Sequence, residues 1–504
     1  MCEPVSDVHV RLTDGTPSVR RTNYRVIAIA LALFATLSIA AAIPSVGFLE
    51  ADALTHYYSA RFAFAEPHRF VNIWDRPLFI LLYAVPAALG GVMGARLMSL
   101  ALAIACALLT LAIARRQQCR WPELALVCLL AQPLVFLHSF SEMTEIPFAV
   151  IGGIAMLAYQ KRWWGVMTLA VAVSPLSRPE GFGFILLAAV ALVLHRRAAW
   201  LLVLPLPLIL WSAAGWLLLG RPAYGWGMMD CLRWLPANWP YSGISVYDPG
   251  PLLFTRARPG GGPPMVSFLL RLPAVISPLL FPFMVCGAVL CLGKSRAFFR
   301  DHAARCQVIL AALPLAVLAG HSILWWRGLM ASSGELRYLL VVAPMWALLT
   351  AMGIEWTFIR IRRSPWLFVT AAALVPLVYN CFYTVVPFKL YEDDFLAKDV
   401  AAWYRSDPQL QQRYPRVAAS YIALYKELDL STLDRVRAAH WGQATVQQRP
   451  LDTLLVWDER FGTHNADASM CVPRQMLLDN GWSLLCSFNR NQCTWEVFVA
   501  RPLP

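Results

Sequence analysis

The chain has 504 residues, of which 58% are hydrophobic and 14% charged, and its mean hydropathy is +0.54. Soluble domains have about 45–50% apolar and about 25% charged residues, so this composition excludes a fully soluble enzyme and a disordered scaffold. The net charge is +13, but the basic residues stand in short clusters between apolar runs, unlike the contiguous basic face of a nucleic-acid-binding protein. The sequence indicates a polytopic membrane protein with no nucleic-acid partner.

About eleven apolar segments approach the roughly 20 residues that a membrane-spanning helix needs. They predict an α-helical transmembrane domain over 26–387, preceded by a cytoplasmic N-terminal segment, 1–25. The segments are 26–46, 94–114, 122–139, 145–160, 163–177, 181–195, 199–219, 267–292, 306–326, 338–359 and 365–387. Residues 77–92 are also apolar, but they are short and interrupted by Pro and Gly, which favours a re-entrant or interfacial piece.

The basic clusters predict the orientation of the chain. Lys and Arg stand before the first apolar segment and in alternate connections after it, and such connections face the cytoplasm. The pattern predicts a multi-pass protein of the plasma (inner) membrane, with residues 388–504 outside the cytoplasm; in the endoplasmic reticulum the same face would be the lumen. The outer loops 47–76 and 220–266 have lengths typical of functional loops, and the second is interpreted equally as a lid or as a disordered connection.

Residues 388–504 are an ordinary soluble stretch in which helical and strand-like patterns alternate. The alternation predicts a small extracytoplasmic α/β domain. Helices are predicted within 391–404 and from 473 to an end near Gly481, and strands at 416–420, 452–458 and 494–500.

Three cysteines lie in this predicted domain and are candidates for a disulfide bond. In an oxidising compartment, two of them could form a disulfide, and the sequence leaves the choice open among Cys471, Cys486 and Cys493.

Carboxylates gather on the predicted outer side of the membrane. Glu50 and Asp52 follow the first apolar segment directly, and Glu142, Glu145 and Glu180 stand in tight connections or at helix ends. Ionisable groups at membrane depth are costly and usually functional. For Glu145 an ordinary position near a helix N-terminus is an equal interpretation.

Four segments in order resemble one family. They are an acidic pair with an aromatic-rich helix and a Pro-Leu-aromatic return (47–82), GARLMSLALAIACALL (94–109), SPLSRPEGFGFILL (174–187) and SSGELRYLLVVAPMWALL (332–349). Together they are similar to the GT-C superfamily, integral-membrane glycosyltransferases that use polyprenyl-phosphate sugars, and in particular to the protein O-mannosyltransferases and the bacterial aminoarabinose transferases. The resemblance implies that a sugar, with mannose as the first guess, moves with inversion from a polyprenyl-phosphate donor to a hydroxyl on a lipid, glycan or protein acceptor.

The implied chemistry assigns roles to particular residues. A carboxylate must accept the hydroxyl proton, and Asp52 is the first candidate, with Glu50 as the alternative because Glu-Ala-Asp departs from the family's adjacent acidic pair. A helix cap at Asp52 is the competing structural interpretation. Negative charge on the departing phosphate calls for cationic groups. The candidates for binding substrate or phosphate are Arg337, Arg178, Arg76, Arg69, His68, His56, Glu180, Glu145 and Tyr338.

Several alternatives stay open on the sequence. Arg178 and Arg337 could instead tie spans together by pairing with Glu180 and Glu335, and His56 lies one helical turn from Asp52, where it could orient that carboxylate. No outer loop carries a DxD motif, which predicts that no metal is obligatory. A lipid-sugar transporter or flippase is the alternative function, although the chain shows no halved symmetry of the kind that transporters often have.

Overall fold

The computed structural model describes residues 23–72, 75–220, 264–326, 334–376, 385–428, 441–463, 471–491 and 493–501. The predicted cytoplasmic segment lies outside these residues up to position 22, and the predicted outer loop 220–266 lies outside them over 221–263.

The described part of the chain up to residue 376 is helical. Its α-helices are Tyr24–Ala42, Ala51–Phe62, Pro77–Arg116, Glu123–Leu130, Pro133–His138, Glu145–Lys161, Trp164–Val173, Gly181–Leu194, Leu206–Leu219, Pro264–Ile276, Phe281–Leu292, His302–Trp326, Ala343–Arg360 and Trp366–Pro376. Short 3-10 helices cover Pro67–Phe70, Ser174–Leu176, Ala198–Val203, Ser295–Ala297 and Leu336–Val342.

Within the described residues, five helical stretches are long and apolar enough to cross a membrane. They are Tyr24–Ala42, Pro77–Arg116, Ala198–Leu218, His302–Trp326 and Leu336–Arg360. A sixth span results if Met265–Ile276 and Phe281–Ala297, which are bent by 110° relative to each other, are counted together. These helices support a multi-pass membrane protein, whereas the number eleven stays a prediction.

Other predicted spans are shorter or broken. Trp164–Leu176 and Gly181–Leu194 are apolar helices of less than spanning length. The predicted span 122–139 is broken into two helices before Pro133, because proline has no N–H to donate and disfavours helical backbone in the preceding residue. The side chain of that preceding residue, Gln132, donates a hydrogen bond to Ala343 O (3.2 Å).

Residues 77–92 are helical up to a break at Gly91. The backbone of Gly91 (φ 59°, ψ −146°) is not helical and divides the element Pro77–Arg116 just before the predicted span 94–114. Glycine adopts this backbone conformation without a Cβ penalty. A Cβ at Gly94 would overlap Pro86 O, so the chain bends sharply at this point. The break agrees with the predicted separation of residues 77–92 from the span, and their re-entrant or interfacial placement stays a prediction.

The stretch Leu336–Arg360, which includes helix Ala343–Arg360, is the most buried of the five spanning stretches. In its apolar part, 83% of the residues are buried within the protein, so this helix lies at the centre of the bundle. It packs closely against helix Phe281–Leu292. A Cβ at Gly353 would overlap Phe283 O, and a Cβ at Gly287 would overlap Leu349 O. Small residues at such crossings let two backbones approach.

The described residues after 388 form a mixed four-stranded sheet with flanking helices. Its strands are β1 (Arg416–Ala419), β2 (Thr453–Asp458), β3 (Trp482–Arg490) and β4 (Cys493–Ala500), in the order β1-β2-β4-β3. β1 and β2 are parallel, and the other two pairings are antiparallel. The helices are Glu392–Ser406, Pro408–Arg413, Ala423–Glu427, Gln443–Gln448, Glu459–Thr463 and Arg474–Asp479.

The sheet contains one strand that the sequence analysis missed. The predicted strands correspond to β1, β2 and β4, whereas β3 begins directly after the helix that was predicted to end near Gly481. That helix ends at Asp479, and Gly481 (φ 74°) turns the chain into β3. The disulfide considered for Cys471, Cys486 and Cys493 is not formed, since all described cysteines are free.

The sheet domain contacts the segment that follows the first span. Phe388 N donates to Ser45 Oγ (3.0 Å), Gly47 N donates to Phe388 O (3.0 Å), and Tyr391 OH donates to Leu49 O (3.1 Å). Beyond these hydrogen bonds, side chains of helix Ala51–Phe62 share a hydrophobic cluster with helix Glu392–Ser406; its buried members include Phe48, Ala53, Leu54, Leu396, Ala397 and Val400. The domain therefore supports the juxtamembrane helix.

We expect Gly353→Ala to lower the stability of the bundle, because the added methyl group meets the backbone at Phe283. Overpacking of this kind costs about 1–3 kcal/mol. Thermal unfolding of the purified protein in detergent measures the effect. Gly320→Ala is the matched control, since a Cβ there meets nothing within 4 Å. Equal melting temperatures for the two variants would contradict the predicted close crossing.

Candidate active site

The juxtamembrane helix begins at the predicted acidic pair. Glu50 is the N-cap residue of Ala51–Phe62, with extended backbone and no capping hydrogen bond from its side chain, and Asp52 lies in the first turn. Asp52 is therefore not the cap that the competing interpretation expected. Its carboxylate instead accepts a hydrogen bond from Arg337 Nη2 (2.6 Å).

Arg337 is buried and is surrounded by carboxylates. It lies on the 3-10 helix Leu336–Val342, which precedes the central helix, and its side chain is 8% exposed. Besides Asp52, its guanidinium lies 3.2 Å from Glu50 and 3.6 Å from Glu145, and it donates to Glu335. A buried arginine is tolerated when paired in this way.

Arg178 extends the cluster through a shared carboxylate. Its Nη1 donates to Glu145 Oε1 (2.6 Å) and to Thr144 Oγ1 (3.0 Å). Its Nε and Nη2 donate to Glu180 Oε1 (3.0 and 2.8 Å). The pairs Arg178–Glu180 and Arg337–Glu335, proposed from sequence as ties between spans, are both present; the phosphate role of the two arginines stays a prediction.

Tyr338 lies between the two arginines. The guanidinium carbons of Arg178 and Arg337 are each 5.4 Å from the centre of its ring, within cation–π distance. His321 stacks on the same ring with centroids 5.2 Å apart, and its Nε2 is 3.5 Å from Glu180 Oε1. The ring therefore holds the two guanidinium groups at a fixed spacing.

Exposure distinguishes Asp52 from the other carboxylates around Arg337. Its side chain is 58% exposed, against 15% for Glu50, 13% for Glu335 and 0% for Glu145. Among the described residues, Asp52 is therefore the carboxylate of this cluster that is most accessible to solvent.

The same surroundings separate the protonation states of the acidic pair. Partial desolvation by the surrounding protein opposes ionisation of Asp52, but Arg337, His56 and Arg76 outweigh it and lower its pKa to about 2. Burial raises the pKa of Glu50 well above its usual range, and the nearby carboxylates of Glu335 and Asp52 reinforce the rise against Arg337. Asp52 is thus ionised at neutral pH.

Other predicted site residues lie at different distances from this centre. Arg76 and His56 lie near enough to influence the pKa of Asp52. Burial lowers the pKa of His56 to about 4, and its ring packs against Phe79, while its role in orienting Asp52 stays a prediction.

Arg69 and His68 do not join the Arg337 cluster in the described contacts. Arg69 pairs with Glu66 (2.5 Å) and approaches Asp75 (3.7 Å), and its Nη1 donates to Ser59 Oγ (3.0 Å). His68 is exposed on the short 3-10 helix beside it.

Three further residues belong to the site and were not among its predicted members. Glu335 and His321 contact Arg337 and Glu180 as described above. Arg271 is 6% exposed, and its Nη1 donates to Gly334 O (3.1 Å) beside Glu335. The signal that could have found Arg271 is its position as a lone arginine inside an apolar segment, as with Arg178 and Arg337.

Within the described ranges, no group of three or more His, Cys, Asp or Glu side chains is arranged to hold a metal ion. The independence from metal that the sequence predicts remains a prediction.

The fold is similar to solved structures of two glycosyltransferases. ArnT from Cupriavidus metallidurans bound to undecaprenyl phosphate is 13% identical with a TM-score of 0.51, and the match covers 94% of this chain and 99% of that one. Its apo state is 14% identical with a TM-score of 0.50, covering 95% and 100%. The oligosaccharyltransferase of Archaeoglobus fulgidus, tethered to an acceptor peptide, is 11% identical with a TM-score of 0.50, covering 89% and 72%.

Both neighbours are GT-C glycosyltransferases. This chain shares the fold of these two proteins. The similarity extends over nearly the whole length of ArnT and includes the part of this chain after residue 388. At identities this low, it establishes a shared fold and not a shared activity. No protein-family model matches the sequence, and no curated protein is significantly similar to it.

We expect Arg337→Gln to destabilise the protein at pH 7.5, because it leaves several carboxylates uncompensated; losing one partner of a buried pair costs about 3–5 kcal/mol. Without the guanidinium the carboxylates of the folded state bind protons more tightly. The variant should therefore gain stability as the pH falls from 7.5 to 5.

Melting temperatures of wild type, Arg337→Gln and Arg337→Lys across this pH range measure the effect. Arg337→Lys keeps the charge and should show a smaller loss and a weaker pH dependence. If Arg337→Gln instead melted at the wild-type temperature throughout, the arginine would not be the counterion of the cluster.

Proposed function

We propose that this protein is an integral-membrane glycosyltransferase that moves a sugar from a polyprenyl-phosphate donor to an acceptor hydroxyl, with Asp52 as the general base. The observation that carries the proposal is the exposed, ionised carboxylate of Asp52 beside the buried Arg337, in a fold shared with ArnT bound to undecaprenyl phosphate. The resemblance of the sequence motifs to the same superfamily supports it independently.

The reaction needs one proton acceptor and one anion site. The acceptor oxygen attacks the anomeric carbon, its proton passes to an Asp52 oxygen, and the bond from the anomeric carbon to the phosphate oxygen breaks. A general base must reach the proton at hydrogen-bond distance, and Asp52 is the accessible carboxylate of the Arg337 cluster. Glu50 is the weaker candidate, because a raised pKa keeps it protonated more often.

Charge balance supports binding of an anionic donor. The cluster contains five carboxylates, those of Glu50, Asp52, Glu145, Glu180 and Glu335, and burial favours the neutral form of Glu50. Four guanidinium groups face them, those of Arg76, Arg178, Arg271 and Arg337. The site is then close to neutral, and a phosphate approaching the arginines meets little net repulsion.

Donor binding would also make Asp52 a better base. In the described state Arg337 donates to Asp52 and lowers its pKa to about 2, which weakens proton uptake. A phosphate oxygen bound to the same guanidinium shares its charge and raises the basicity of Asp52. In this proposal the base becomes strong once the donor is in place, which limits unproductive protonation in its absence.

The finer assignments are proposals of the same kind. Mannose is the first sugar to test, the acceptor is a lipid, glycan or protein hydroxyl, and the donor is the lipid-linked sugar itself with no obligatory metal. We place the protein in the plasma (inner) membrane with Asp52 and the sheet domain on the extracytoplasmic face, following the distribution of basic residues.

We expect Asp52→Asn to fold normally and to lower sugar transfer by about 10²–10⁴-fold, the usual contribution of general acid–base catalysis. The assay uses purified protein in liposomes with a panel of polyprenyl-phosphate sugars and an extract of acceptors, and follows release of polyprenyl phosphate. Asp399→Asn is the matched control, since Asp399 is exposed on helix Glu392–Ser406, in the sheet domain.

Each outcome decides something different. Donor-dependent release by wild type and by Asp399→Asn, with loss in Asp52→Asn, supports the enzyme class and the base and identifies the sugar. Equal release by wild type and Asp52→Asn would move the base to Glu50. No release from folded wild-type protein with any donor would refute transfer and favour the lipid-sugar transporter.

A further inference from the structure

The turn that connects the first span to the acidic pair is held by a buried arginine from another helix. Arg96 lies on Pro77–Arg116 and is 3% exposed. Its Nη1 donates to Ala42 O (3.0 Å) and Ser45 O (2.6 Å), and its Nη2 donates to Gly47 O (2.7 Å). One guanidinium thus binds three backbone carbonyls within six residues.

These carbonyls determine the path of the chain into the site. The first span ends at Ala42, so carbonyls near it lack helical partners and need donors from elsewhere. The turn continues directly into Glu50, the N-cap of the helix that carries Asp52. Since Gly47 O is three residues from Glu50, a shift of the turn moves both carboxylates.

The same guanidinium has a buried counterion. Glu142 Oε1 lies 3.3 Å from Arg96 Nε, and its side chain is fully buried. Glu142 belongs to the connection before helix Glu145–Lys161, whose first residue bridges Arg178 and Arg337. Arg96 therefore joins the acidic turn to the connection that leads to the arginine cluster.

The other side of the turn is closed by the sheet domain. Gly47 N donates to Phe388 O, and a Cβ at Gly47 would overlap Lys389 O. With the arginine on one side and residues 388–391 on the other, the turn has little freedom to relax if one support is removed.

We propose that Arg96 is a positioning residue for the Glu50–Asp52 pair, acting through the backbone of residues 42–47. This inference rests on the proposed function, because its readout is sugar transfer. Arg96 touches neither Asp52 nor Arg337 in the described contacts, so its effect on the reaction passes through the turn. A displacement of about 1 Å in a reacting group can cost about 10²-fold in rate.

The test is a double-mutant cycle in the liposome transfer assay. We expect Arg96→Gln to lower kcat about 100-fold with KM for the donor changed less than threefold, since the arginines of the cluster remain. In Asp52→Asn the base is already lost, so adding Arg96→Gln should lower the remaining rate less than threefold. Arg96→Lys keeps the charge, cannot reach three carbonyls at once, and should recover only part of the rate.

Arg305→Gln is the matched control. Arg305 also donates to backbone carbonyls, those of Phe298 (3.0 Å) and Phe299 (3.2 Å), and has no contact with the acidic turn. Its loss should affect melting temperature without changing kcat more than twofold.

A second variant tests whether the loss of kcat results from unfolding and not from a displaced turn. Replacing both partners, Arg96→Met with Glu142→Met, removes the buried ion pair without leaving an isolated charge. It should fold, by melting temperature, and still show the kcat loss.

The outcomes separate this inference from the proposed function. If wild type transfers sugar but the losses from Arg96→Gln and Asp52→Asn multiply fully, Arg96 acts independently of the base and the inference is wrong. A wild-type kcat in the folded double-methionine variant would also overturn it. If wild type transfers no sugar with any donor, the proposed function fails first, irrespective of Arg96.

Discussion

The candidate site depends on the cost of burying a guanidinium group. Arg337 is taken out of water at the start of the central helix, and Asp52, Glu50, Glu335 and Glu145 compensate for the lost hydration. These carboxylates come from three parts of the chain that are far apart in sequence. The arginine thereby brings together the juxtamembrane helix, the N-terminus of helix Glu145–Lys161 and the segment that leads into the central helix.

An arrangement of this kind suits a reaction in which charge moves. The carboxylates are held by ion pairs in the absence of substrate, so the reaction that we propose would need little reorganisation when negative charge appears on the donor phosphate. Tyr338 keeps Arg178 and Arg337 at equal distances from its ring. Asp52 is the most solvent-exposed carboxylate of the cluster, whereas the buried members mainly determine its protonation state and its position.

Much of this centre could be predicted from sequence because arginines and carboxylates stand out within apolar segments. Arg337, Arg178, Glu180, Glu145 and the acidic pair do meet, as the ordered motifs indicated. Arg96 also stands out as a lone arginine in the motif at 94–109, but its partners could not be predicted, since backbone carbonyls leave no trace in residue type. β3 was missed because it is an edge strand with little buried surface.

The hydrogen bonds between the acidic turn and the sheet domain have a consequence for how the protein is made. Phe388 binds Ser45 across 343 positions of the chain, and Tyr391 binds Leu49 across 342. Contacts of such long sequence separation form late, because the intervening loop must first be closed. During synthesis the first span and its carboxylates are complete long before residue 388 leaves the ribosome. The acidic pair is therefore made long before one of the two supports of its turn, and the turn is completed only when the last quarter of the polypeptide has been synthesised.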